Sequence, residues 1–262
     1  MVVRYVECVN ATSPSRLPGL DRALNPYRGC AHSCAYCYAQ DVTRFEMSRP
    51  WGSLVEAKVN IVQLLKKELR KGPKGVYGVG TVTDPYQPIE KELELTRGCL
   101  RLLRDAKAET SILTKSDLVL RDLDILSGWS SSEVGMSVGV VDDSVAGLLE
   151  SGAPSPSRRF YALQRLSESG VRTYVMAAPI IGGVGDSEQS IVELVEKAGA
   201  AGTSRILWDK FNPKPLACSR LKKALEKKGI ALSTGSPVEV ERVRLVLRRE
   251  CARLQIELLD AF

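Results

Sequence analysis

Short apolar segments of strand character alternate along most of this chain with longer segments of helical period. The strand-like segments are 76–83, 111–114, 133–141, 171–181 and 203–208. Between them lie helical patterns at 54–71, 93–106, 118–126, 158–169 and 187–200. Gly72-Pro73, Gly170 and Gly202 punctuate their ends. With a short strand just before Cys30, this makes about six βα units, and such alternation predicts a parallel sheet. Six units fall short of the eight that close a barrel. Residues 1–25 show no period and read as a leading arm, leaving 26–212 as the α/β core. Beyond it, 213–262 reads as a helical extension, with helices over 216–228 and 238–259. Pro237 suits the second helix's first turn. At 262 residues the whole forms one domain.

Composition removes other options. Hydrophobic residues make up 44% and charged residues 26%, an ordinary globular balance that excludes a disordered or fibrous chain. No apolar run is long enough for a membrane helix, and no leader pattern opens the chain, so no membrane partner and a cytoplasmic location are expected. His32 is the single histidine, which excludes sites built from several. There is no phosphate-binding P-loop, and Gly78-Val79-Gly80 lacks the later glycine of a dinucleotide turn. The surplus charge of +6 is concentrated at one end: residues 214–253 carry eleven Lys or Arg against four Glu. That segment reads either as a set of solvated helix faces or as a surface for phosphates, away from the cysteines.

The seven cysteines are odd in number and belong to a reducing setting, so a disulfide framework is not expected. Three of them, Cys30, Cys34 and Cys37, follow the spacing C-x3-C-x2-C. Three nearby thiolates can converge on one inorganic centre. A [4Fe–4S] cube normally takes four, so three leave one iron open to a ligand. A structural zinc site is the alternative, and it would need a fourth Cys or His. His32, lodged between the first two cysteines, is poorly placed for that. In parallel α/β sheets the working residues sit at the C-terminal strand ends. That rule nominates Thr81, Thr83 to Gln87, Thr114 to Ser116, Ser137, Asp142 and Asp143. It also nominates Ala178, Pro179 and Ile181 with Gly182, Gly183 and Gly185 nearby, then Asp209, Lys210 and Asn212.

C-x3-C-x2-C with Tyr36 before its last cysteine resembles the signature of the radical S-adenosylmethionine (SAM) superfamily. Within it, the chain looks like the subfamily of spore photoproduct lyase and "DNA repair photolyase-like" proteins. The strings that carry this are Asn25 to Cys30, Thr83 to Glu90, Leu95-Thr96-Arg97, Leu113 to Ser116 with Arg121-Asp122, and Ala177 to Ile181. The resemblance implies a partial (β/α)6 TIM-like barrel, a [4Fe–4S] cluster on Cys30, Cys34 and Cys37, and SAM on the open iron. It implies that Tyr36 backs the adenine and that Thr83 meets the amino-acid end of SAM. Lys115 would pair with its carboxylate, Ser137 would bond the ribose, and Ala178 would offer backbone atoms to the adenine. Tyr38 matches a tyrosine of the lyase's hydrogen relay and is the catalytic candidate. An electron donor such as ferredoxin or flavodoxin is implied as a partner. One position departs from the pattern: Thr81 stands where the lyase has its hydrogen-donating cysteine, and a hydroxyl O–H bond is too strong to replace a thiol. The resemblance therefore carries the cofactors further than the substrate. The substrate stands between DNA or RNA, met through 214–253, and a protein or small molecule. A non-catalytic metal-binding module is the reading from another class.

Overall fold

A computed structural model describes residues 1–261. Its strands are β1 (Val2–Val6), β2 (Thr12–Pro14), β3 (Arg22–Leu24), β4 (Tyr27–Arg28), β5 (Leu54–Lys58) and β6 (Tyr77–Val79), then β7 (Thr110–Thr114), β8 (Ser132–Ser137), β9 (Thr173–Ile180), β10 (Arg205–Lys210) and β11 (Glu257–Asp260). Its helices are α1 (Ala39–Thr43), α2 (Ile61–Leu69), α3 (Glu90–Leu93), α4 (Leu95–Asp105) and α5 (Leu123–Leu126), then α6 (Asp143–Leu149), α7 (Pro156–Glu168), α8 (Glu188–Ala200), α9 (Pro215–Glu226) and α10 (Pro237–Arg253). A 3₁₀ turn, Asp117–Asp122, leads into α5.

Eight strands form one sheet in the order β11-β10-β9-β8-β7-β6-β3-β2. All its pairings are parallel except β2 with β3. This is the expected α/β arrangement. The central strands carry Val79, Ile112, Val134, Met136, Val175 and Ile206, all at most 1% exposed, as strands covered on both faces require. A smaller sheet, β1-β5-β4, lies beside it.

Four expectations need correction. Residues 1–25 are not an irregular arm: β1, β2 and β3 are there, and β3 is the first parallel strand of the main sheet. The segment before Cys30, β4, belongs to the small sheet instead. Residues 54–58 open the supposed helix as strand β5. Leu54 through Ala57 are all buried, and such a continuous buried run has no period to separate it from a helix. The last helix stops at Arg253: Gln255 adopts a left-handed conformation (φ 56°), and the chain returns as β11, parallel to β10. The C-terminal segment is thus part of the sheet as well as helical.

Candidate active site

The loop from Gly29 to Tyr38 follows β4 and is held from three sides. Gly29 sits at φ 79°, and a Cβ there would strike the Leu54 carbonyl and the Phe45 ring. On one side, Gln87 accepts from the Ala31 amide (2.9 Å) and donates to the Gly29 carbonyl (3.3 Å) and Thr83 Oγ1 (3.1 Å). On the second, the Ala35 amide donates to the Leu149 carbonyl (2.7 Å) and the Gly152 amide to the His32 carbonyl (3.1 Å). On the third, Arg220 of α9 donates to the carbonyls of Cys37 (2.5 Å) and Ala35 (3.3 Å).

The loop closes one end of a cavity of about 550 Å³ at the C-terminal strand ends. Cys30, Cys34 and Cys37 line it, together with Tyr36, Tyr38, Thr81, Thr83, Lys115, Ser137 and Ala178. Every residue singled out from sequence for a cofactor or catalytic role therefore lines this one cavity. Asp84, Asp209, Lys210, Asn212 and Lys214 line it too. Asp142 and Asp143 do not. Asp142 caps α6 through the amides of Ser144 and Val145, and Asp143 accepts from the Ser157 amide. Gly182 bridges to Ser233, away from the cavity.

Within the wall the polar groups are linked. Lys115 Nζ lies 2.6 Å from Ser137 Oγ and 5.6 Å from the Tyr36 ring centroid. Ser137 Oγ donates to the Ala178 carbonyl at 3.3 Å. The Tyr36 hydroxyl donates to Glu150, which also receives Arg159. Arg159 donates in turn to the Ser137 carbonyl at 3.0 Å. Burial pushes the Tyr36 phenol far up, so it remains a neutral donor. Burial also opposes ionisation of Glu150, but Arg159 and then Lys115 outweigh it and hold the carboxyl below its usual range. Thr83 Oγ1 donates to the Gly29 carbonyl at 2.5 Å. Tyr38 donates to the Thr81 carbonyl at 2.9 Å, so the relay candidate and the departing position share one edge of the cavity. Burial pushes Tyr38 up to about 12.

Asp84 organises the next strand end. It accepts from Thr114 Oγ1 (2.7 Å) and from the amides of Lys115 (2.7 Å) and Tyr86 (2.9 Å). Burial alone would raise it, yet His32, Thr114 and the Lys115 amide bring it down to about 2. His32 Nδ1 stands 3.2 Å from Asp84 Oδ2 without a well-aligned hydrogen bond.

The three cysteines are free thiols, which burial pushes up, Cys34 to about 12, while Lys115 works against burial at Cys34 and Cys37. A metal ion deprotonates a coordinating thiol outright, so these values do not oppose metal binding. Among the described residues, no three His, Cys, Asp or Glu are gathered tightly enough for a single ion. Three thiols lining one cavity are the donor type that holds an iron–sulfur cluster. The other four cysteines do not line the cavity: Cys99 and Cys251 are buried in the core, Cys8 donates to Asn60, and Cys218 on α9 packs against the apolar cluster that holds Cys34 and Tyr36.

Sequence reasoning missed three groups. Glu150 and Arg159 are 3% and 1% exposed and act as a buried pair behind Tyr36. Nothing in their local sequence separates them from surface charges. Arg220 belongs, by sequence, to the basic segment away from the cysteines, and the structure brings it onto their loop.

A family model described as the radical SAM superfamily matches residues 24–198. An uncharacterised protein of Methanocaldococcus jannaschii is 40% identical over 181 residues, 69% of this chain and 68% of its own. An uncharacterised protein of Mycobacterium tuberculosis is 31% identical over 191 residues, 70% of this chain and 56% of that protein. Among solved structures, spore photoproduct lyase complexed with dinucleoside spore photoproduct superposes with a TM-score of 0.76 at 16% identity. That superposition covers 99% of this chain and 82% of the lyase. SuiB of Streptococcus suis bound to S-adenosylmethionine gives 0.60 at 14% identity, over 91% of this chain and 49% of SuiB. At such identities these superpositions speak for the fold alone.

Proposed function

The chain belongs to the radical SAM superfamily and is an enzyme, and from that premise we propose that Cys30, Cys34 and Cys37 hold a [4Fe–4S] cluster beside bound SAM. When bound and reduced, this pair supplies a 5′-deoxyadenosyl radical that abstracts hydrogen from a substrate. The open parallel sheet is then the partial (β/α)6 barrel of a single domain.

The observation that carries this reading is the shared cavity: three free cysteines and the SAM-contact candidates line one space. Lys115 holds a cation over the Tyr36 face and beside Ser137, where it can meet the SAM carboxylate. Thr83 orders the loop through Gly29 and faces the amino-acid end. Ser137 meets the ribose, Ala178 presents its backbone to the adenine, and Tyr36 backs it. Tyr38, on the rim by Thr81, is the catalytic candidate on the substrate side. Reduction calls for a small electron-transfer protein such as ferredoxin or flavodoxin. Among the described residues, no helix is long and apolar enough to cross a membrane; a cytoplasmic location is part of the proposal.

For the substrate, the basic segment divides. On α10, Arg242, Arg249 and Arg253 are engaged by Asp186, Glu188 and Glu196. Among the described residues, Lys210 and Lys214 at the cavity and Lys222 and Lys223 on α9 form no ion pair. A nucleic-acid strand would meet these lysines, with affinity that falls steeply with salt.

The test is anaerobic reconstitution with iron and sulfide, expected to load about four irons per chain. After dithionite reduction, SAM should yield 5′-deoxyadenosine. A protein that takes up one zinc and makes none overturns the reading. DNA and RNA binding is measured against salt in parallel. No binding at low salt would turn the substrate towards a protein or small molecule.

A further inference from the structure

The C-terminal segment does more than add charge. Arg220 is half-buried on α9, and its guanidinium faces the cysteine loop rather than solvent. It donates to the Cys37 carbonyl at 2.5 Å, to the Ala35 carbonyl at 3.3 Å and to Gln40 Oε1 at 2.8 Å. No carboxylate pairs with it among the described residues, so its full charge is directed at the backbone on either side of Tyr36.

The contact is returned. Asp41 of α1, four residues after Cys37, accepts from the amides of Leu216 (2.9 Å) and Ala217 (3.2 Å) in the first turn of α9. These amides have no partner inside the helix, and its N-terminus favours a negative charge. Below them, Leu221 and Leu225 of α9 lie in one apolar cluster with Cys34, Tyr36 and Leu149. Two charged contacts of opposite sense and an apolar floor therefore fasten α9 to the loop–α1 unit. The two pieces are about 180 residues apart in sequence.

We propose that Arg220 is a positioning residue for the iron centre, clamping the Cys34–Cys37 segment onto α9 and placing a fixed positive charge beside Cys37. The proposal rests on the reading of these cysteines as cluster ligands. Two consequences follow. The clamp limits opening of residues 33–40 before any iron is bound, because each charge-assisted bond must break for the loop to leave. The charge stabilises the reduced, more negative state of a bound cluster, since local charge and hydrogen bonding set cluster potentials.

The experiment uses the full chain and the variants Arg220→Met and Arg220→Lys. In the iron-free protein, amide hydrogen exchange over 33–40 should quicken about tenfold or more in Arg220→Met, with the central strands unchanged. In the reconstituted protein, its midpoint potential should move negative and the resonance spectrum of the reduced cluster should change. Arg220→Lys, which keeps the charge on a different donor geometry, should restore most of the potential while exchange stays raised. Unchanged exchange in Arg220→Met overturns the clamp. Unchanged potential and spectrum overturn the electrostatic role. If the wild type binds no cluster, the cofactor reading fails, and the exchange measurement still decides the clamp.

Discussion

Two groups of buried polar side chains meet along the segment Thr83–Glu90, and they are built on opposite principles. One is closed. Glu90 and Asp122 are both 0% exposed. Glu90 accepts from the Tyr27 hydroxyl, the amides of Thr96 and Arg97, and Arg121. Asp122 accepts from Tyr86, Arg97 and Arg121. Each charge is answered, and none of these groups lines the cavity. The other group is open. Lys115 carries a charge with a single serine partner, and His32 leaves Nδ1 without an aligned bond. Both face the cavity. A saturated network rigidifies, while one with spare capacity can receive a ligand. The closed network roots the site: Tyr27 precedes Cys30 by three residues, and Tyr86 lies in the loop that carries Thr83 and Asp84.

The contrast can be broken at either end. The largest effect should come from the open side. Cys34→Ala should abolish both iron loading and 5′-deoxyadenosine formation; full activity would show that the ligands are wrongly chosen. Next comes the closed side. Asp122→Ala removes the buried anion that Arg97 and Arg121 share and should cost about 3 kcal/mol in denaturant unfolding. That is the low end for a buried pair, because Arg121 keeps Glu90 and Arg97 keeps Asp124. The remaining folded protein should still bind SAM, and loss of binding at unchanged stability would erase the distinction between the two networks. Lys115→Met should do the reverse, lowering SAM affinity about tenfold by calorimetry and changing stability by less than about 1 kcal/mol. The smallest effect belongs to the surface. Arg165→Ala removes an exposed pair with Glu168 and should shift stability by less than about 0.5 kcal/mol with turnover unchanged.

Legibility in the sequence followed the range of the interaction. The cysteine spacing and the strings around Asp84 and Lys115 were readable, because ligands and strand-end groups there are neighbours along the chain. The strands β6 to β10 were readable because a buried parallel strand is an apolar run between breakers. Helix α6 went unseen. Its seven residues are short for a periodic signal, and Asp142, its cap, read equally well as a strand-end carboxylate. Strand β5 read as helix because burial on both faces removed the alternation. The motif strings also contain more than candidate cofactor contacts: Glu90, Thr96, Arg97, Arg121 and Asp122 lie in the strings that carry the resemblance, yet they build the closed network.

By itself, then, the sequence determined the sheet class, the family and the identity of the metal-ligand candidates. These depend on local pattern, where the residue and its purpose lie within one element. Tertiary structure decided which charges are buried and what they face. It placed Glu150 and Arg159 behind Tyr36, returned β11 to the sheet, and carried Arg220 to the cysteines. A basic side chain has the same letter whether it is solvated or clamped to a carbonyl. Only the packing of distant segments excludes the water that would otherwise take the carbonyl's place.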